Sequence, residues 1–334
     1  MRVQPCLSLL LLSFACAPAA DDTGITESNA DGSDGGSNEG ASGADTGGAA
    51  TAPADARSVD DACGTDTYGY GSPSRAAIEA IERTHCYRNL MGIEPGILDS
   101  DVDRASQSHA DYMEGNDTLT HYEDPALPGY TGEWVWDRIE TAGFERAAGQ
   151  SWSEVVSWGT SPDAAIDMWV GSVYHRIPFT MPYWLATGFG QAGDYSSMSF
   201  VTPYPDGPRT AVVFPVNGQT NVPPMFDSDT EWPDPAPDHG LVGYPISVTV
   251  AAPNIGPDGA NPYGTVLVAA SLTDDAGRAL PVIELDPTGD DHMSVMVAIV
   301  PLDPLAALTT YTASMTVEWD GTEETFVTTF TTGS

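Results

Sequence analysis

The chain has 334 residues, of which 41% are hydrophobic, so it is long enough for about two folded domains and too apolar to be disordered throughout. It carries 48 acidic residues against 11 basic ones, a net charge of −37, and every basic residue is an arginine. This negative field repels phosphate backbones and anionic headgroups, which excludes nucleic-acid binding and membrane docking through a basic patch. No apolar run beyond the N-terminus approaches the ~20 residues of a membrane helix, which excludes an integral membrane protein.

Residues 1–19 have the layout of a secretory signal, with a basic residue ahead of an apolar run. Two processing sites compete within it. Cys16 ends a stretch similar to a bacterial lipobox, although Ser13 and Phe14 depart from the usual pattern; cleavage there would make Cys16 the lipidated N-terminus. Alternatively, Ala17–Ala19 is an A-x-A site whose cleavage would release a free protein.

Residues 20–62 form a low-complexity segment of mainly Ala, Gly, Ser, Thr, Asp and Asn. Ile25 and Val59 are its only large aliphatic residues, so it cannot bury enough surface to offset the entropy of ordering. We therefore predict a disordered acidic linker that holds the folded domains away from a surface. Surface lipoproteins commonly have such a spacer, and for this reason we favour lipidation of Cys16.

The four cysteines predict one disulfide. Cys6 is lost with the signal, and Cys16 is either lipidated or lost. Cys63 and Cys86 remain in an oxidising compartment, where a lone pair of cysteines becomes a disulfide. Two free buried thiols are the alternative.

A first folded domain, residues 63–206, is predicted to mix helices with short strands. Apolar residues recur at helical spacing between N-cap residues and glycines. The predicted helices run from Ser72-Pro73 to Gly92, from Asp99 or Ser100 to Gly115-Asn116, from Thr131 to Gly143, and onward from Ser161-Pro162. The predicted strands are Leu185–Gly190 and Ser197–Thr202.

Several short motifs of this domain stand in a recognisable order. They are Thr84–Arg88, Ser108–Met113, Leu119–His121, Tyr130–Gly132, Trp169–Arg176 and Gly188–Gly190. In this order they resemble the CAP superfamily, which comprises cysteine-rich secretory proteins, insect venom antigens, plant pathogenesis-related proteins and bacterial relatives. The resemblance implies a three-layer α-β-α sandwich with a central antiparallel sheet.

The resemblance also implies a cleft with two histidines and two acidic residues, in which some members bind Zn²⁺ or another divalent ion. His121 and His175 match the two histidines. Gln150 and Glu154 compete for the first acidic position, and we choose Glu154 because its distance from the following tryptophan fits the family. Ser172 stands at the second acidic position, so the second acidic residue of the cleft is missing and tight metal binding is not expected.

Chemistry alone allows two interpretations of this cleft. Two neutral imidazoles and one carboxylate suit Zn²⁺, so His121, His175 and Glu154 are the candidate metal ligands. Alternatively, the same three side chains form a satisfied polar network that only stabilises the cleft.

Other polar residues are predicted to be structural. His109 is expected to be a hydrogen-bonded core histidine, and Arg176 is expected to pair with a carboxylate, with Asp167 as the candidate. A pairing of Ser172 with His175 is possible within one turn, but we attribute it to chance because no orienting carboxylate motif accompanies it.

A second domain, residues 207–334, is predicted to be all β, because β-branched runs recur between Pro, Gly and Asp turns. The predicted strands are Ala211–Phe214, Tyr244–Ala251, Thr265–Thr273, Val282–Leu285, Met293–Val300, Thr310–Trp319 and Thr325–Thr331. Asp320-Gly321 predicts a two-residue hairpin turn. The segment resembles bacterial Ig-like domains, which implies a role in spacing or adhesion. His239 and His292 are expected to be exposed.

Together these features predict an α+β protein: a three-layer α-β-α domain followed by an all-β Ig-like sandwich. The leading hypothesis is a secreted bacterial cell-envelope protein, held at the membrane only through a lipid anchor. It would bind an apolar or sterol-like ligand, a glycan or a partner protein at the cleft. The alternative is a divalent-metal-dependent hydrolase with Glu154 as general base. A purely structural envelope protein is a third possibility.

Overall fold

A computed structural model describes residues 58–63, 73–145, 147, 150–184, 186–203, 210–251, 264–293, 295–319 and 321–334. The predicted signal, Cys16 and nearly all of the predicted linker lie outside these residues. Within them, no helix is both long and apolar enough to cross a membrane.

The first half of the chain is α+β, as predicted. Its helices are Arg75–Met91 (α1), Ser100–Asn116 (α2), Val135–Thr141 (α3), Pro162–Gly171 (α4) and Ile177–Thr180 (α5). Its strands are Gln150–Trp158 (β1), Ala186–Ala192 (β2) and Tyr195–Pro203 (β3). They form an antiparallel sheet in the order β1-β3-β2, in which β1 is a strand that the sequence analysis did not assign.

Local capping explains where these helices begin and end. The Ser74 hydroxyl accepts the Ala77 N–H, so α1 starts two residues later than predicted, and Gly92 ends it at a φ of 68°, as predicted. Asp99 caps α2 as expected. The predicted end at Gly115-Asn116 is confirmed: α2 ends at Asn116, and its C-cap is the left-handed Asp117.

The third and fourth helices test the same capping argument. The prediction that Thr131 caps α3 is wrong: its hydroxyl donates to Glu123, and the cap is Trp134, whose N–H donates to the Asp137 carboxylate. The start of α4 is as predicted, with Ser161 as cap and Pro162 at the first helical position.

Helices lie against both faces of the three-stranded sheet. Gly188 allows α2 to lie directly on one face, since a Cβ at this position would be 2.2 Å from the Asp103 nitrogen. Phe189, the next residue, points to the other face and packs in one apolar cluster with residues of α1 and α4. The alternation of β2 therefore separates α2 and α3 from α1 and α4.

The second half is built from strands. They are Thr210–Phe214 (β4), Gln219–Val222 (β5), Met225–Asp227 (β6), Leu241–Gly243 (β7), Ile246–Ala251 (β8), Val266–Asp274 (β9), Ala279–Leu280 (β10), Val282–Leu285 (β11), Met296–Pro301 (β12), Thr310–Trp319 (β13) and Thr322–Thr332 (β14). They form sheets in the orders β10-β9-β13-β14-β5 and β11-β12-β8-β4, with β6 and β7 as a separate pair. All of the predicted strands are present, β11 and β13 with the predicted bounds and the others with shifted ends, and the short β5, β6, β7 and β10 were missed.

The hairpin between β13 and β14 is also as predicted. Trp319 pairs with Thr322, which leaves a two-residue loop, and Gly321 has a φ of 71°. Alternate residues of β13 are buried, so the face from Tyr311 to Trp319 points into the core. All pairings in these sheets are antiparallel except that of β14 with β5.

The two halves share a buried junction, at which Arg176 is fully buried. Its guanidinium donates to the carbonyls of Val170 at 2.7 Å and Pro245 at 2.8 Å, and lies 5.0 Å from the centre of the Phe214 ring. The predicted pairing with Asp167 is wrong, because that carboxylate accepts from Arg83 and Tyr87.

The predicted disulfide between Cys63 and Cys86 is present, with the sulfurs bonded at 2.06 Å. It attaches the segment before α1 to the middle of that helix.

Candidate functional site

A buried polar cluster lies between α2, α3 and the sheet, on the face that carries Glu154. Glu154 points from β1 to the same side as Trp152 and Val156, because strand residues alternate. The loop that follows α2 brings His121 to it, and the His121 Nδ1 is 3.1 Å from the Glu154 Oε2. The two predicted residues are therefore in direct contact.

The other oxygen of Glu154 is held from two sides. Arg138 of α3 donates from Nη2 to Oε1 at 2.7 Å, and Ser197 of β3 donates its hydroxyl to the same atom at 3.2 Å. The guanidinium also donates to the His121 carbonyl at 3.1 Å. Glu154 and His121 are thus fixed by the same arginine.

These contacts set the protonation of the pair. Burial acts to raise the pKa of Glu154, but the charge of Arg138, with His109 and His121, holds it well below its usual range. Burial lowers the pKa of His121; Glu154 opposes this, while the charges of His109 and His175 add to it. An ionised carboxylate only accepts, so His121 carries its proton on Nδ1.

The remaining ring nitrogen of His121 is the unusual atom of the site. Its Nε2 is buried and has no hydrogen-bond partner among the described residues. With the proton on Nδ1, this nitrogen presents a lone pair. Buried polar atoms are nearly always satisfied, so an orphaned lone pair points to a group that binds there.

The second predicted histidine, His175, follows α4 and is 4% exposed. Its Nδ1 is 2.8 Å from Oε1 of Glu231, a residue of the C-terminal half. Burial acts to raise the pKa of Glu231, but the hydrogen bond and charge of His175 hold it below its usual range. Both histidines therefore have a carboxylate at Nδ1.

Ser172 occupies the position where the resemblance would place the second acid. Its hydroxyl donates to the Trp169 carbonyl at 2.9 Å and lies 3.3 Å from the His175 Nδ1. Glu231 faces the same nitrogen, so serine, imidazole and carboxylate are not in series. This geometry does not form a nucleophilic triad.

His109 is the hydrogen-bonded core histidine that was predicted. Its Nδ1 is 3.0 Å from the Glu123 carboxylate, and its Nε2 is 2.8 Å from the Thr120 carbonyl. Glu123 also accepts the backbone N–H of Thr131 and Gly132. Glu123 was not predicted as part of the site, although it lies two residues after His121, where alternation in an extended loop would place it on the same side.

The other candidates lie apart from the cluster. Gln150, the alternative first acid position, is at the start of β1, where its side chain accepts the Ala147 N–H. His239 is exposed, as expected. The expectation that His292 is exposed is wrong: it is half-buried beside Asp290 and Asp291.

The donor atoms define which residues fit a metal ion. Among the described residues, only Asp290, Asp291 and His292 have three ligand atoms all within 4.8 Å of one another, so the predicted set of His121, Glu154 and His175 is not that compact. Glu154 lies behind His121, on the Nδ1 side, with both oxygens engaged. The unpartnered His121 Nε2 is free to act as a ligand, and Glu154 is placed to orient that imidazole.

A groove of about 390 Å³ lies elsewhere, at the junction of the two halves. Arg83 lines this groove, and its guanidinium donates hydrogen bonds to Asp60 and Asp167. The groove does not include His121 or His175.

No family model and no curated protein matches the chain. Among solved structures, it is similar to an extracellular protein containing an SCP domain from Bacillus anthracis, with 16% identity over 40% of this chain and 45% of that one and a TM-score of 0.33. It is also similar to a cysteine-rich secretory protein from Staphylococcus aureus, with 16% identity, 41% of each chain covered and a TM-score of 0.30. The chain thus spans less than half of the length of either protein.

Proposed function

We propose that this chain is a secreted, lipid-anchored bacterial surface protein whose first domain binds a small divalent cation, with Zn²⁺ as the best fit, between His121 and His175. The observation that carries the proposal is the buried His121 Nε2, which has no partner while its Nδ1 is bonded to Glu154. A carboxylate that fixes the far nitrogen of a histidine is the usual support of a metal-binding imidazole.

The burial of the two histidines favours an ion over a large ligand. His121 is 5% exposed and His175 is 4% exposed, so neither ring offers a surface on which a glycan or a protein could lie. A cation needs only a lone pair and a narrow path. The net charge of −37 favours its approach.

In this proposal the residues have distinct roles. His121 and His175 hold the ion through Nε2, and Glu154 and Arg138 fix the first imidazole. When bound, Zn²⁺ supplies a Lewis-acidic centre to which an anionic group of a further ligand can bind. An apolar ligand, a glycan or a partner protein would then contact the rim of the cleft.

The hydrolase alternative receives less support. A general base needs a carboxylate oxygen within reach of water and a pKa near the working pH. Both oxygens of Glu154 are engaged by Arg138, Ser197 and His121, and its pKa is held low. Glu154 therefore suits a positioning role.

The architecture that we propose is a three-layer α-β-α CAP-like domain followed by an Ig-like sandwich. In support, α2 and α4 pack on opposite faces of an antiparallel sheet, and the charge of His175 acts to lower the pKa of His121. The disulfide and the signal-like N-terminus support secretion.

Titration calorimetry of the metal-free mature protein with ZnCl₂ tests the proposal. We expect one site with a dissociation constant in the micromolar range or weaker. This corresponds to a binding free energy of about −8 kcal/mol or a less favourable value. His121→Ala and His175→Ala should each abolish it, whereas His239→Ala, at an exposed histidine, should bind like the wild type. Absence of zinc binding in the wild type, or unchanged binding in both cleft variants, would overturn the proposal.

A further inference from the structure

Glu231 crosses from the C-terminal half to the end of α4. It follows the short 3-10 turn Ser228–Thr230, is 56 residues from His175 in the chain and is 3% exposed. Its carboxylate accepts the backbone N–H groups of Val173 at 2.8 Å, of Tyr174 at 2.8 Å and of His175 at 3.0 Å. A side chain from the C-terminal half thus satisfies three backbone N–H groups of the first domain.

The fourth contact distinguishes Glu231 from a purely structural cap. Its Oε1 also lies 2.8 Å from the His175 Nδ1. Three backbone donors would be satisfied by any well-placed acceptor, but the ring contact fixes both the rotation of the imidazole and the nitrogen that carries its proton. The proton on Nδ1 leaves the lone pair on Nε2.

The same arrangement occurs at His121. There the carboxylate at Nδ1 is Glu154, from β1. Each histidine of the cleft is therefore backed by a buried carboxylate through the same ring atom, but the two carboxylates come from different halves of the chain.

We infer that Glu231 is a positioning residue of the His121–His175 site, so that the site is complete only when the C-terminal half is docked on the first domain. The inference rests on the proposed function for its metal, but the state of the His175 ring in the metal-free protein is independent of any ion. In this view the C-terminal half is a component of the site as well as a spacer.

The test uses ¹⁵N-histidine NMR of the metal-free protein together with zinc titration. In the wild type, His175 should be the Nδ1–H tautomer. Glu231→Ala should introduce the Nε2–H form, whereas Asp229→Asn, at an exposed neighbour, should leave the spectrum unchanged. Zinc affinity should fall about 10- to 100-fold in Glu231→Ala, in the range for lost carboxylate partners of metal-binding histidines.

Glu231→Gln covers the case in which the alanine variant does not fold. With its amide oxygen at the Oε1 position, glutamine still accepts the N–H groups of Tyr174 and His175, but the Val173 N–H loses its acceptor and the charge behind the imidazole is lost. The variant should therefore fold with a moderate loss of thermal stability, and its zinc affinity should fall. An Nε2–H tautomer of His175 in the wild type, or wild-type zinc affinity in Glu231→Gln, would overturn the inference.

The two proposals fail in different ways. A wild type with His175 as the Nδ1–H tautomer and no zinc binding would overturn the metal function and support Glu231 as the residue that positions the ring. Zinc binding that is lost in His121→Ala and unaffected by Glu231→Gln would support the metal function and overturn the role of Glu231.

Discussion

Arg138 and Glu154 form an ion pair in which Nη2 and Oε1 are 2.7 Å apart and the side chains are only 1% and 2% exposed. Removing one partner of a buried pair leaves an uncompensated charge in the interior, and the penalty for that charge exceeds the attraction that the pair itself contributes. The polar cluster therefore depends on Arg138 for stability, and through Glu154 for the orientation of His121.

Arg138→Met is expected to lower the free energy of unfolding by about 3–5 kcal/mol, measured by urea denaturation at neutral pH. Arg104→Met is the matched control, because Arg104 pairs with Asp101 on the surface and its side chain is 57% exposed; its loss should be within about 1 kcal/mol. Adding Glu154→Leu to Arg138→Met should recover part of the stability. Equal effects of the two arginine variants would contradict the argument.

His85 is expected to make stability depend on pH. Burial lowers its pKa to about 4, a shift opposed by the Gly96 carbonyl and supported by Arg88. The unfolded chain therefore takes up the proton first, so stability is fully present above the usual value of 6.5 and decreases as the pH falls to about 4. The full loss is about 3 kcal/mol.

His85→Gln should remove this share of the pH dependence, measured as the free energy of unfolding between pH 7 and pH 4. His239→Gln, at an exposed histidine, should retain it. A slope that is the same in both variants would show that His85 is not the group responsible.

The contact of His121 with Glu154 was predictable because the motif resemblance gives both positions. The face of Glu154 was not predictable, because it follows from the alternation of β1, a strand that was not predicted. Glu231 was not predictable. Its neighbours are Asp, Thr, Trp and Pro in an irregular segment, and its contact with His175 depends on how the two halves dock. Periodicity describes elements, and it carries no signal for a contact between loops 56 residues apart.

The wrong pairing of Arg176 has a similar cause. Proximity along the helix favoured Asp167, but the side chain of Arg176 points into the junction and meets carbonyl groups, while Asp167 faces Arg83 on α1. A hydrogen bond to a backbone carbonyl cannot be predicted from residue types, since every residue carries a carbonyl group.

The disulfide is expected to contribute to stability by restricting the unfolded chain. Cys63 and Cys86 are 23 residues apart, and closing a loop of this size contributes about 3 kcal/mol in the chain-entropy model. Cys86→Ser should lower the free energy of unfolding by that amount, and Cys63→Ser should do the same. If both thiols of the untreated mature protein react with an alkylating agent without denaturant, the bridge is absent.

Cys16 is expected to hold the protein at the membrane. Cys16→Ala should move it from the membrane fraction to the soluble fraction, measured by fractionation of the expressing cells, because the acceptor of the lipid is lost. Cys6→Ala, within the same signal, should leave the distribution unchanged. A mature wild-type N-terminus at Ala20 would instead support the A-x-A site and a freely secreted protein.

The two halves are expected to unfold together, because Arg176 connects them through the Val170 and Pro245 carbonyls and residues from both halves share one apolar cluster. Calorimetry should show a single transition whose calorimetric and van't Hoff enthalpies agree. Arg176→Met should lower stability by about 1–3 kcal/mol for each buried carbonyl that loses its donor. Arg278→Met is the control, since its side chain is 77% exposed on the C-terminal half, and it should change stability little. Two separate transitions in the wild type would show that the junction does not couple the halves, and a site that needs Glu231 would then open before the first domain unfolds.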